Sequence, residues 1–321
     1  MRKLVYSLSA TFAVASILMA HASEGKHHGS GFYGHGFSIT TSNDSASEVC
    51  SDHIKVRDSM MQEMAEGEEL RTLPNAPLKI NASSNGSIHV RTWDKGEISV
   101  KLCKVVVSKT ADEAKSVLSK LALSVAAGEI NVKGPANWDE EKHSAWSTVI
   151  LVHAPRGAQL DLSAQNGGIS LDQVDAKVHA HAQNGGISLK QAKGTLDLEA
   201  ENGGISIKDS GGNVTVDVEN GGVHLELGEQ WLGGTLVARL RNGGLVVEIP
   251  EKFQSALEIS GSSNSPVVCK TDICSQGNRT WDENGRVFKI GTGAPVVKAS
   301  TINGGIVIRR RGQHDGDDEM D

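Results

Sequence analysis

His179 and His181 stand two residues apart in a stretch of alternating polar and apolar residues, and Asp161, Asp197 and Glu199 lie 18 residues from one or the other. If segments of that period stack in register, the five side chains meet on one outward face. Neutral imidazole and carboxylate are ligands for zinc and other divalent cations. These residues are therefore a candidate metal patch, and no other cofactor is suggested. The same set also suits a solvated face, where opposite charges on neighbouring strands add a little stability. Catalytic signatures are missing: there is no Gly-x-Ser-x-Gly, no phosphate-binding loop and no His-Glu-x-x-His. A polysaccharide lyase or hydrolase needs carboxylates clustered in a groove. Here they spread along a column, so a non-catalytic protein is the expectation.

The elements that must position this patch repeat. Asn-Gly-Gly begins at Asn166, Asn184, Asn202, Asn220, Asn242 and Asn303, with successive separations of 18, 18, 18, 22 and 61. Apolar residues fall six, four and two places before each of the first five asparagines, and three and five places after. Leu196, Leu198, Ala200, Ile205 and Ile207 are one such set. Each unit thus reads as two short strands around a turn. One unit cannot bury its own apolar face, and stacked units can. The expectation is an all-β solenoid of stacked ~18-residue repeats, with the asparagines hydrogen-bonded as a ladder and the glycines supplying backbone angles that other residues avoid. An antiparallel meander or sandwich with Asn-Gly hairpins is the alternative.

Before the repeats, period-two alternation starts at Leu78, with Asn85-Gly86 as a turn. Thr110 and Glu113 have capping-box spacing ahead of one short helix over residues 111–121. Residues 251–295 interrupt the repeats, and the unit around Asn303 is expected to close the column. Arg309 to Arg311 and the acidic residues 312–321 read as a solvated tail.

Residues 1–22 carry Arg2, Lys3, an apolar run and Ala20-His21-Ala22, the pattern of a cleavable secretory signal. The expected location is periplasmic or secreted, with no membrane span in the mature chain. Residues 23–75 read as a His- and Gly-rich flexible leader and linker, and residues 76–311 as the folded domain. The formal net charge of −7 argues against nucleic acid as partner. Four cysteines in an exported chain favour disulfides. Cys269 and Cys274 suit a small loop, leaving Cys50 for Cys103, although four cysteines allow three pairings.

The early strands with Asn85-Gly86 and Trp93-Asp94, the capped helix, Pro155-Arg156-Gly157 and the Asn-Gly-Gly series resemble the bacterial putative adhesin domain family, a β-strand-repeat domain of unknown function. The resemblance covers about residues 76–311. It implies a right-handed β-solenoid of the cell envelope, and it brings no catalytic residues. An adhesin-like module for an envelope protein or glycan is one functional expectation. A periplasmic structural or envelope-stress-sensing protein is the other.

Overall fold

The computed structural model describes residues 28–34, 37–42, 47–58, 63–135, 138–139, 144–275, 277–283, 285–292, 294 and 296–312. The expected signal segment 1–22 and the acidic tail beyond Gly312 lie outside the described residues.

Each repeat makes one rung. The strand before the Asn-Gly-Gly corner joins one sheet, here sheet I, and the strand after it joins a second, sheet II. The first rung is Leu78–Asn81 with Gly86–Trp93, and the second is Gln159–Ala164 with Ile169–Asp172. The third is Asp175–Ala182 with Ile187–Lys190, and the fourth is Lys193–Asn202 with Ile205–Lys208. The fifth is Asn213–Asn220 with Val223–Glu226, and the sixth is Leu236–Asn242 with Leu245–Ile249. Rung-to-rung pairing is parallel and in register, so Leu160, Val178, Leu196, Val214 and Leu236 form one column. Parallel pairing rules out the hairpin meander for these rungs. The expected inward residues are buried in a single core between the sheets.

Six hydrogen bonds of 2.9–3.2 Å join seven asparagine side chains in a line: Asn85, Asn166, Asn184, Asn202, Asn220, Asn242 and Asn303. In each, the amide Nδ2 donates to Oδ1 of the neighbouring rung. Asn85 is a full member of the ladder, although in the sequence it looks like a separate turn. In three of the motifs the first glycine serves close approach and not a special angle, whereas Gly243 has a φ of 148°. A Cβ on Gly185, Gly203 or Gly221 would overlap the carbonyl oxygen of the glycine one rung away, and none of the three has a positive φ. Left-handed backbone sits instead at the second corner, on Gln173, Gln191 and Asp209, with φ of 52°, 49° and 48°.

The stack does not close as expected. Strands Val297–Asn303 and Ile306–Arg310 lie beside the sixth rung, but their other edges are also paired. Leu257–Gly261 and Val267–Lys270, from the segment read as an insertion, pair outside them in parallel. The last rung in the chain is thus seventh of eight in space, and residues 257–270 form the eighth. The hairpin Asn278–Asp282 with Gly285–Ile290 extends sheet I further. Cys269 is bonded to Cys274 at this end.

At the other end, sheet II continues through Ser144–Pro155, Glu97–Ser108 and Glu63–Pro74. Sheet I continues through Glu129–Lys133 and Ala122–Ala126. The helix spans Ala111–Leu118, shorter than its expected limit of residue 121. Thr110 Oγ1 accepts the Glu113 amide at 3.3 Å, while the Glu113 carboxylate accepts from Ser108 and not from the Thr110 amide. Ala114 on the helix packs with Val106, Leu121 and Trp146. On Glu97–Ser108 the even-numbered Ile98, Val100 and Leu102 face the core, so Val106 continues that inner face and the helix plugs the end of the core.

The segment expected as a flexible leader contains strands. His28–Gly34, Phe37–Ser42 and Ile54–Asp58 form a three-stranded antiparallel sheet, a one-turn helix spans Cys50–His53, and Glu63–Pro74 joins sheet II. The physical reason is a second apolar face. The odd-numbered Cys103, Val105 and Val107 point out of sheet II, and Ile39 and Ile54 bury them together with Val149 and Leu151. Cys50 is bonded to Cys103 across this contact.

Candidate functional site

On sheet I the outward positions alternate with the buried ones, and parallel register sets equivalent places side by side. Asp161, His179 and Asp197 are consecutive partners, as are Ser163, His181 and Glu199. His179, Asp197 and Glu199 each offer a ligand atom, and these atoms all lie within 4.8 Å of one another. His179 Nδ1 is 3.4 Å from Asp197 Oδ2. The group is open to solvent, with the His179 and Asp197 side chains 42% and 51% exposed.

Two of the five expected ligands stand outside this cluster. His181 turns towards the corner, and its Nε2 meets Glu201 Oε1 at 3.2 Å, a partner the sequence reading did not single out. Asp161 faces His179 in register and is not one of the three convergent groups. The pattern continues as an ionic zipper along the same face, with Arg239 3.6 Å from Asp217 and Arg241 3.0 Å from Glu219. Exposed pairs of this kind contribute at most about 1 kcal/mol each.

Sheet II carries a more buried polar cluster. Glu248 Oε1 accepts from His224 Nε2 at 3.0 Å and from Arg309 at 2.7 and 3.1 Å. Burial opposes ionisation of Glu248, but the hydrogen bonds and charges of His224 and Arg309 win and hold its pKa down at about 2. Arg311 binds both Asp209 oxygens and reaches Glu226 Oε1 at 2.9 Å, and these contacts raise its own pKa, Asp209 foremost. Arg309 and Arg311 are therefore no solvated tail. Arg309 lies in a strand and is 8% exposed. Glu226 and Glu248 occupy equivalent places on adjacent rungs, and the two arginines neutralise that repulsion. The in-register positions Glu226, Glu248 and Arg309 were the available signal, but only a rung order that sets residue 309 beside residue 248 reveals it.

The fold and this outward face define a β-solenoid-like repeat protein. The chain belongs to the Toastrack DUF4097 family, whose model matches residues 61–308. Among solved structures it is similar to a "putative cell adhesion protein" from Clostridium sporogenes, at 10% identity over 77% of this chain and 100% of that one, with a TM-score of 0.29. A "putative adhesin" from Bacteroides fragilis matches at 11% identity over 76% and 97% of the two chains, with a TM-score of 0.32. A "putative lipid binding protein" from Parabacteroides distasonis matches at 12% identity over 75% and 96%, with a TM-score of 0.38. No curated protein matches the chain. Among the described residues, no helix is long and apolar enough to cross a membrane.

Proposed function

We propose that this is a non-catalytic, exported cell-envelope protein, an adhesin-like binding module wound as a right-handed coil, and that its binding surface is the outer face of sheet I. The observation that carries the reading is the His179–Asp197–Glu199 cluster together with the solvent-facing ion pairs on the same face, spread over rungs three to six. The asparagine ladder and the core fix the rungs, so these side chains form a preorganised face. Preorganisation lowers the ordering cost of binding. The partner class is an envelope protein or glycan. The test is retention of the purified chain on isolated native envelopes, against a variant carrying His179→Ala, His181→Ala and Glu199→Gln. Loss of retention in the variant supports the reading. Equal retention, or none by either protein, overturns it in favour of a periplasmic structural or stress-sensing role.

A second reading rests on the same three residues. Their convergence within 4.8 Å suits a divalent cation bound with water completing the coordination. Calorimetric titration with zinc, with His179→Ala as the control, tests it. Heat from the unaltered chain that the variant lacks supports a metal, and identical traces remove the idea.

A further inference from the structure

His89 and His53 meet edge to face in a buried seam, with ring centroids 4.8 Å apart. His89 points out of sheet II from the first rung, and His53 ends the one-turn helix of the N-terminal segment. They are 3% and 0% exposed. His53 Nε2 donates to the Ser47 carbonyl at 2.7 Å, which leaves Nδ1 as a bare acceptor. Among the described residues, that Nδ1 and both ring nitrogens of His89 have no hydrogen-bond partner. Buried polar groups without partners are costly, and a buried uncompensated charge far more so.

The seam is where the N-terminal segment lies on the solenoid. Contacts across it include the apolar packing of Ile39 and Ile54, a buried Thr41–Ser87 hydroxyl pair at 2.8 Å, the Cys50–Cys103 bond, and contacts of Glu48 with Lys101 and His153. The family match begins at residue 61, beyond this segment. We propose that residues 37–42 and 47–58 are an acid-released cover over the outer face of sheet II, closed while His89 is neutral and held by the Cys50–Cys103 tether when it opens.

Charge around the seam sets the sign. Burial, and then the neighbouring His53, push the His89 pKa down from 6.5 to about 3. Arg91, two residues along the same strand, is ion-paired with Asp172 at 3.5 Å. His153, on the adjoining strand, faces Glu48 of the cover at 3.4 Å. Its pKa is lowered by burial foremost, while Glu48 opposes that lowering, so the Glu48 contact itself favours closure when His153 is protonated and the release rests on His89. Lys101 contacts the Glu48 carbonyl at 3.1 Å and Glu68 at 4.0 Å. Among the described residues, no carboxylate is hydrogen-bonded to either ring of the pair. The open state therefore binds protons below about pH 6.5 that the closed state refuses. Each pH unit below that value multiplies the open population by up to about ten.

Away from sheet II the cover loses the apolar face against which Ile39 and Ile54 pack. Amide hydrogen exchange on the full chain reads this directly. Between pH 7.5 and 5.0, after correction for intrinsic rates, peptides covering residues 37–58 should lose roughly tenfold or more of their protection. Peptides covering residues 159–249 should not change. His89→Phe, which fills the same space without a titrating group, should remove the pH dependence. Equal protection at both pH values, or the same pH dependence in H89F, would overturn the proposal. If H89F does not fold, imidazole resonances of the unaltered chain decide. Protonation of His89 near pH 6.5 with the cover still protected would contradict the proposal, and protonation in step with lost protection would support it.

Discussion

Arg311 reaches back 102 residues to grip the Asp209 carboxylate with both terminal nitrogens, at 2.6 and 2.7 Å. Asp209 sits on the second corner of the fourth rung, and Arg311 follows the strand that fills the seventh. The pair ties the last segment of the chain to rungs made a hundred residues earlier. Arg309, clamped on Glu248, does the same one rung away. Arg309→Ala strands a buried carboxylate and should cost about 3 kcal/mol. Arg311→Ala, at a more exposed pair, should cost about 1 kcal/mol. Urea unfolding of the two variants checks the order. A larger loss in R311A would mean that the buried pair is not the main fastening.

Acid should weaken the same fastening. Glu248 has its pKa lowered from 4.5 to about 2, so the folded state releases its proton more readily than the unfolded chain. Its stabilisation is present in full above pH 4.5 and is lost as pH falls towards 2. The difference corresponds to about 3 kcal/mol. Glu248→Gln should flatten the stability profile across that window, and an unchanged profile would show that the ion pair contributes nothing there.

The ladder predicts a graded series. Asn202 donates to Asn184 and accepts from Asn220, so Asn202→Ala loses two hydrogen bonds, about 1–2 kcal/mol in all. Asn303 makes one ladder bond, and Asn303→Ala should cost about half as much. Gly203→Ala should be worse than either, about 3 kcal/mol, because its Cβ would run into the Gly185 carbonyl. Gly204→Ala, with 3.1 Å to the nearest oxygen, should be the milder glycine change. Thermal unfolding of the four variants tests the ranking.

The two disulfides differ in span. Cys50–Cys103 closes 53 residues and Cys269–Cys274 closes 5. On chain entropy the first stabilises by about 4 kcal/mol and the second by about 2. Reduction should therefore act mainly at the N-terminal end, with exchange rising first in residues 37–58 and 103–107. Faster exchange at residues 257–290 would reverse that order.

Much of the stack is legible in the sequence. The 18-residue period fixes which residues point inward, and equal phase puts the asparagines in line. Rung order is less legible at the end. The 61-residue gap before Asn303 states that a unit returns, not which edges it fills, so residues 257–270 look like an insertion when they are the outermost rung. The N-terminal cover is hidden for a related reason. Its strands, Phe37–Ser42 and Ile54–Asp58, are short and mostly polar, and what they bury is the outer face of a distant strand. Of the metal candidates, His179, Asp197 and Glu199 are legible as a group because register alone brings them together. His181 departs because its rotamer takes it to Glu201, and spacing carries no rotamer information.

On the proposed function, the outer face of sheet I is the surface that meets the envelope. A photo-crosslinking residue placed at position 181 tests it most directly, with position 206 on the outer face of sheet II as the control, in the full chain expressed in its native envelope. One discrete adduct, a protein or a glycan, is expected from position 181 and none from 206. Equal yields from both faces, or recovery of the chain alone, would contradict it.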